Sequence, residues 1–452
     1  MKIRIRNNLH LTDLPENIHR ELTEKLQFPN PKWIENARMG RWNRGTPKVL
    51  RFFYKGPKSS LWIPRGYMRQ LLLLCRRHGI DYQIDDQRRE LPPIDLQFYG
   101  QLKPFQIKAV EQMGQRDFGT LSAPTGSGKT VMGLYLIALR KQPTLIIVHT
   151  KDLALQWVER VQQFLKISNQ EIGLIGGGKK QIGKFVTVAL VQSLYKYADQ
   201  VGEHVGHLVV DECHRTPSRT FTDAVTEFDA KYMLGLSATP WRRDKLSQLI
   251  FWHLGDVHYK VDKERLVEEG HIVKTEVVWR ETNFNPYYDP VNEYSKMLSE
   301  LTADDERNRQ IAADVAGEVD DTSGVCLVLS DRKKHCETLQ ALLRYKHGIN
   351  ADLLTGDLTT EQRKDVIQRL EQGHVNVLIA TGQLIGEGFD CRNLATLFLA
   401  TPIRFSGRVI QYLGRVMRPA PGKAKARVFD YVDVKVDALQ AAARARLKVY
   451  SQ

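Results

Sequence analysis

Three short stretches hold residues whose types and spacing could do chemistry. In LSAPTGSGKT (121–130), Gly126 and Gly128 let the backbone curl around Thr125 and Ser127 so that successive N–H groups point at phosphate oxygens. Lys129 adds a point charge at the β- and γ-phosphates, Thr130 offers a hydroxyl to Mg²⁺, and the apolar run VMGLYLIALR turns its helix N-terminus toward the same anion. Ala123 stands where the generic pattern has Gly, so the match is to a subtype. In HLVVDECH (207–214) an apolar strand ends on Asp211 and Glu212. Asp211 could hold Mg²⁺ through its water shell, and Glu212 could orient and deprotonate an attacking water. In QYLGRVMRP (411–419), Arg415 and Arg418 are three apart, which on a helix puts both on one face. Either a carboxylate of a neighbouring helix or a shared anion would satisfy that pair.

These residues need a scaffold that delivers strand ends and helix N-termini to one edge. From about residue 102 the chain supplies it, alternating helical stretches with near-continuous apolar runs: TLIIVH (144–149), FVTVAL (185–190), HLVVDE (207–212), YMLGLSA (232–238), VCLVLS (325–330), VNVLIA (375–380) and TLFLATP (396–402). Runs of this kind suit strands covered on both faces, and their alternation with helices predicts parallel α/β architecture. The polar stretch FNPYYDPVNEYSKMLSELTADDERNRQ (284–310) falls between two sets of runs. The expected fold is therefore two tandem α/β domains with parallel sheets, at 99–270 and 271–452, after a small basic α+β domain at 1–98. In that first domain, RWNRGTPKVLRFFYKGPKSSLWIPRG (41–66) reads as hairpins and YMRQLLLLCRRHG (67–79) as a helix ending at Gly79.

Composition narrows the partner. The chain of 452 residues carries a net charge of +14, and residues 1–98 hold 19 Lys and Arg against 10 Asp and Glu, which suits a polyanion. No apolar run approaches a membrane span, and the N-terminus MKIRIRNNLH lacks the continuous apolar segment of a secretory signal. Five scattered cysteines, without a C-x-x-C pair, point to a reducing cytosol and away from a disulfide framework or a zinc site.

Taken in order, the motifs resemble those of the superfamily-two helicases and translocases. DECH (211–214) looks like their DEAH/DECH box and APTGSGKT like their first motif, while LKPFQ (102–106) is similar to the segment whose glutamine, here Gln106, reads adenine. HTKDLALQW (149–157) and VTVALVQSL (186–194) resemble backbone-holding segments, implying nucleic-acid contacts at Thr150, Gln156, Gln192 and Ser193. LSATP (236–240) resembles the motif that couples hydrolysis to movement through Ser237 and Thr239. LLTG (353–356) and IATGQLIGEGFD (379–390) look like second-domain motifs, implying roles for Thr355, Gly356 and Thr381 on nucleic acid and for Gly388 and Asp390 at the nucleotide. QYLGRVMR looks like the sixth, led by Gln411. The resemblance covers roughly residues 100–432. It implies two RecA-like motor domains, ATP and Mg²⁺ as cofactors, and Arg415 and Arg418 acting on the γ-phosphate as arginine fingers, which elsewhere contribute about 10³–10⁵ in rate.

Motor domains of this kind track the sugar–phosphate backbone, so the first 98 residues should choose the substrate. There Arg38, Arg41, Arg44, Arg51, Lys55, Lys58 and Arg65 lie among Trp42, Phe52, Phe53, Tyr54 and Trp62. Basic groups could neutralise phosphates while an exposed ring stacks on a base; core filling is the ordinary alternative for each ring. SSLWIPRGY (59–67), SATPWRRD (237–244) and RPAPGKAKARVFDYVD (418–433) resemble the phage-encoded and related bacterial branch-migration DNA helicases, the UvsW-like group. That resemblance implies remodelling of single-stranded, forked or four-way-junction DNA in replication, recombination and repair. An RNA helicase, a restriction-type translocating subunit and an ATP-switched annealing protein remain as alternatives.

Overall fold

The computed structural model describes residues 1–213, 219–238, 247–321, 324–386, 391, 393–403, 406–420, 423 and 425–450. The chain divides into two compact units, Met1–Ala123 with Gly128–Val261, and Pro124–Ser127 with Asp262–Gln452.

The first unit contains two sheets. The N-terminal one has five strands in the order Tyr54–Lys55, Leu61–Pro64, Asn8–Thr12, Lys2–Ile5, Gln83–Asp86, antiparallel except for the last pair. Lys2–Ile5 alternates exposed and buried residues and Asn8–Thr12 half-buried and buried ones, as a sheet covered on one face requires. The cover is two amphipathic helices, Glu16–Lys25 with Ile18 and Leu22 inward, and Met68–Arg77 with Leu71, Leu74 and Cys75 inward. Between them, residues 27–51 form a small excursion in which strand Gln27–Pro29 pairs with Val49–Arg51 around helix Pro31–Arg38.

The second sheet of this unit has eight strands, with Val186–Leu190, Thr144–Val148, His207–Val210, Tyr232–Ser237 and Phe118–Ser122 at its centre. All pairings are parallel except the edge hairpin Gly173–Gly176 with Lys179–Gln181. Val186–Leu190, Thr144–Val148 and His207–Val210 are buried throughout, which is why they read as unbroken apolar runs.

The N-terminal sheet and the eight-stranded sheet are tied together inside this unit. Leu249 and Trp252, from helix Ser247–Leu254, join the N-terminal apolar core, where Trp252 meets Phe28 and Phe52 at ring-centroid distances of 5.9 and 5.3 Å. Polar ties ring this contact: Asn7 Nδ2 to Thr226 O (2.7 Å), Arg89 Nε to Asp229 Oδ1 (2.8 Å), and Gln70 Nε2 to Asp256 Oδ2 (3.0 Å).

The second unit has a six-stranded, all-parallel sheet in the order Thr275–Thr282, Ala426–Asp433, Leu394–Leu399, Val325–Ser330, Val377–Thr381, Asp352–Leu354. Helices Asp305–Asp321 and Lys333–His347 supply part of its cover, through Ile311, Val315, Leu339 and Leu343. A buried Arg307, 1% exposed, donates to Asp433 Oδ1 (2.9 Å) and to the carbonyl of Ala400, fixing the helix of Arg307 to two strand ends.

Candidate nucleotide and nucleic-acid site

The glycine-rich loop joins strand Phe118–Ser122 to helix Lys129–Arg140. Gly126 and Gly128 take φ of +87° and +82°, the left-handed region that glycine enters without strain. At Gly128 a second constraint applies, because an added Cβ would lie 2.5 Å from the Gln106 amide nitrogen. Gln106 is itself fixed: its Oε1 accepts the Lys103 N–H at 2.9 Å, at the start of helix Pro104–Gly114. The adenine-reading candidate and the phosphate-loop candidate are thus brought together. Lys129 is buried and donates to the Ala123 carbonyl at 3.2 Å, which folds the ammonium back over the loop. Thr130 follows it in the first turn of the helix.

Asp211 and Glu212 stand just past the carboxyl end of His207–Val210, two strands from the glycine-rich loop. The intervening strand, Tyr232–Ser237, ends on the buried Ser237, whose carbonyl accepts the Ala123 N–H at 3.0 Å. Ser237 therefore spans the loop strand and the acidic strand. Both Asp211 oxygens are oriented, Oδ2 by Trp157 Nε1–H (2.8 Å) and Oδ1 by the Glu212 N–H (2.8 Å). Burial, and then the neighbouring Glu212 charge, push the Asp211 carboxyl up to about 6, against the pull of Trp157 and Lys129. Glu212 adopts φ of +48°, a left-handed conformation that costs a non-glycine residue roughly 1–3 kcal/mol. Strain of this size at a strand-end carboxylate marks a position held for its geometry. The donor set fits a divalent cation: the buried Asp211 carboxylate beside the Glu212 carboxylate, with the Thr130 hydroxyl in the first turn of helix Lys129–Arg140.

Among the backbone-holding candidates, Thr150 caps helix Lys151–Leu165 by accepting the Leu153 N–H at 3.4 Å. Gln192 Nε2 reaches the His149 carbonyl at 3.4 Å, so these two residues meet at the ends of neighbouring strands. Gln156, on the same helix as Leu153, and Ser193, beside Gln192, are half-buried. In the second unit, Thr355 and Gly356 follow strand Asp352–Leu354 and Thr381 ends Val377–Thr381, so the parallel pairing brings all three to one sheet edge. Lys333, which sequence reasoning missed, pairs with Asp357 at that edge.

Two expectations change, and the alternatives left open for the rings separate. Arg65 is not a surface contact: it is 2% exposed, and its Nη1 donates to the carbonyls of Ala230 (2.7 Å) and Arg6 (3.2 Å). Burial and the Arg88 charge lower it to about 9. Arg41 and Arg44, by contrast, are exposed. Arg415 lies in the last turn of helix Ser406–Val416, whereas Arg418 lies beyond that helix's end, in the bend before Pro419, a residue that disfavours helix at the position ahead of it. Of the ring candidates, Phe52 stacks into the core and Trp62 stacks on His10 at 4.1 Å, leaving Trp42 and Tyr54 exposed. Thr239, Gly388 and Asp390 lie outside the described residues, and Gln411 is described only as part of its helix.

Two family profiles match in tandem: "Type III restriction enzyme, res subunit" over residues 99–242, and "Helicase conserved C-terminal domain" over 312–420. The chain belongs to the superfamily-two helicases. The helicase is 27% identical over 380 residues to a "Putative ATP-dependent RNA helicase L396" of Acanthamoeba polyphaga mimivirus, covering 79% of this chain and 69% of that one. It is 25% identical over 350 residues to the "DNA 3'-5' translocase XPB2" of Sulfurisphaera tokodaii, covering 70% and 79%. Among solved structures, S. cerevisiae Dbp5 bound to RNA and ADP BeF3 aligns with a TM-score of 0.53 at 16% identity over 77% of this chain and 92% of that one, a likeness of fold. The UvsW structure of bacteriophage T4 aligns over 100% of this chain and 97% of that one, with a TM-score of 0.45 and 19% identity. The two profiles in tandem make this helicase an ATP-using α/β enzyme with two tandem RecA-like domains, and no described helix is long and apolar enough to cross a membrane.

Proposed function

We propose that this helicase is a DNA-stimulated ATPase that unwinds or branch-migrates forked and four-way-junction DNA in replication, recombination and repair. The observation that carries the reading is the basic N-terminal module, joined to the ATP-binding sheet by the Trp252 contact and its surrounding hydrogen bonds. A polyanion-binding platform that moves with the motor suits a substrate having a second arm for the motor to work against.

In this reading Lys129 and the loop N–H groups hold the ATP phosphates, and Gln106 reads the adenine edge. Asp211 and Thr130 would hold Mg²⁺, which supplies charge neutralisation on the phosphates. Glu212 orients the attacking water and takes its proton. Arg415 and Arg418 are assigned to the charge that spreads over the transferring phosphoryl group, and Ser237, with Thr239, to coupling hydrolysis to movement. Thr150, Gln156, Gln192, Ser193, Thr355, Gly356 and Thr381 hold the strand by its backbone.

The test is ATPase stimulation by single-stranded DNA, blunt duplex, single-stranded RNA, a fork and a four-way junction across a salt series. Preference for the branched DNAs, with strand exchange on the junction, is expected. Stimulation by RNA alone would overturn the reading.

A further inference from the structure

Residues 27–58 carry eight Lys and Arg (32, 38, 41, 44, 48, 51, 55, 58) against the single Glu35, so this excursion and its exit hold half of the chain's net charge of +14. At its outer end the loop 39–48 presents Trp42, which is 84% exposed. A lone exposed apolar residue is ordinary. Here, however, the loop that carries the ring is braced on both sides of it. The Arg41 N–H donates to the Asn36 carbonyl (2.8 Å), and Asn43 bonds twice, its Oδ1 accepting from Asn36 Nδ2 (3.1 Å) and its Nδ2 donating to the Trp33 carbonyl (3.2 Å). The Thr46 N–H donates to the Asn43 carbonyl (3.0 Å), and the buried Asn30 donates from Nδ2 to the Pro47 carbonyl (2.8 Å). Gly40 and Gly45, at φ of +63° and +79°, turn the chain at either end. The ordering entropy of this loop has been met by its own hydrogen bonds, while the ring itself stays open to solvent.

We propose that loop 39–48 is a base-stacking platform, in which Trp42 covers an unpaired nucleobase of a DNA strand and Arg38, Arg41 and Arg44 hold the flanking phosphates. The charge around the ring selects a polyanion, and the ring's open face selects a planar partner. Bases inside a duplex have both faces covered by their neighbours, so away from a duplex end an open face is offered only by a single strand or at the point where arms part. Pre-organisation of the loop means that binding need not order it. This inference rests on the branched-DNA reading and deepens it by naming where the unpaired base goes.

The experiment measures binding of the full chain to a fork with single-stranded arms, to single-stranded DNA, to the matching RNA strand and to a blunt duplex, by fluorescence anisotropy. It compares wild type with Trp42→Ala and Trp42→Phe, and a 2-aminopurine base at the branch reports stacking directly. Trp42→Ala should weaken fork and single-strand binding by about 5- to 150-fold, the range for loss of one base–aromatic stack, and abolish the 2-aminopurine change. Trp42→Phe should restore both, and the melting temperature should match wild type in each variant. Unchanged fork affinity in Trp42→Ala, or equal losses on fork and blunt duplex, would overturn the platform. A wild-type chain that binds RNA single strands but no DNA would instead overturn the DNA assignment.

Discussion

Gly128 combines two demands, a positive φ and the Gln106 amide where a side chain would begin. In Gly128→Ala the methyl must displace that amide and break its bond to the Lys103 N–H, loosening the adenine side and the phosphate side of the site together. ATP affinity measured by titration calorimetry should fall at least about tenfold, roughly the 1.4 kcal/mol that one such hydrogen bond and the backbone strain amount to. Affinity equal to wild type would mean that the loop and Gln106 do not act as one piece. Arg41 and Arg65 make a second comparison at this scale, because both are arginines of the same basic region and only burial separates them. Arg65→Ala leaves the Ala230 and Arg6 carbonyls without their donor, at about 1–3 kcal/mol each, so the melting temperature should drop while the salt dependence of DNA binding keeps its slope. Arg41→Ala should do the reverse, lowering the slope of log affinity against log salt by about 0.7–0.9 with no loss of melting temperature. Local sequence could not separate the two, since Arg65 is buried by contact with residues far along the chain. Glu212 likewise shows no sign of its left-handed backbone in the letters DECH. Lys423 also escaped notice: its ammonium takes the carbonyls of Val416, Arg418 and Leu394, capping the helix that carries Arg415.

Elements were legible in proportion to how completely they are buried. The central parallel strands are covered on both faces, and TLIIVH, HLVVDE and VCLVLS read as strands for that reason. The strand Thr275–Thr282, TEVVWRET, is half-exposed at a sheet edge and mixes charge with apolar residues, so it was not among the apolar runs that read as strands. Helix Ser247–Leu254 was equally silent, because its apolar face is shared between two cores that only the fold brings together. That helix carries a titrating group with a predictable effect. His253 is buried, its Nε2 has no hydrogen-bond partner among the described residues, and burial lowers its pKa from 6.5 to about 4. The unfolded chain therefore binds this proton more tightly than the folded one. Stability present above pH 6.5 is lost as pH falls toward 4, by up to about 3 kcal/mol. His253→Leu removes that proton uptake. Urea unfolding from pH 7 to pH 4 should show a shallower fall in stability for the variant, and parallel curves would exclude His253 as a contributor.

For the whole molecule the consequential feature is that residues 1–98 do not form a detachable accessory. Their apolar core is completed by Leu249 and Trp252, and Arg65, Asn7, Gln70 and Arg89 end on backbone or carboxylate groups of the ATP-binding part of the chain. Cutting after residue 98 would uncover the Trp252 ring and orphan the Ala230 and Thr226 carbonyls, and would leave Asp229 and Asp256 without their partners. Exposing one large aromatic side chain costs about 1.5–3 kcal/mol, and each buried carbonyl left unpaired costs about 1–3 kcal/mol more. Together these are comparable with the 5–15 kcal/mol that holds a domain folded. The chain lacking residues 1–98 should therefore melt well below the intact protein and lose basal ATPase together with DNA stimulation, as followed by circular dichroism and by phosphate release without DNA. A truncated protein that kept its basal turnover and melting temperature would show the two parts to be independent, and the basic module could then no longer be assigned to ride with the motor. The same reasoning makes point substitutions on the exposed rim, at Arg41, Arg44 and Trp42, the sound way to separate substrate choice from ATP chemistry, since none of these side chains helps to close the shared core.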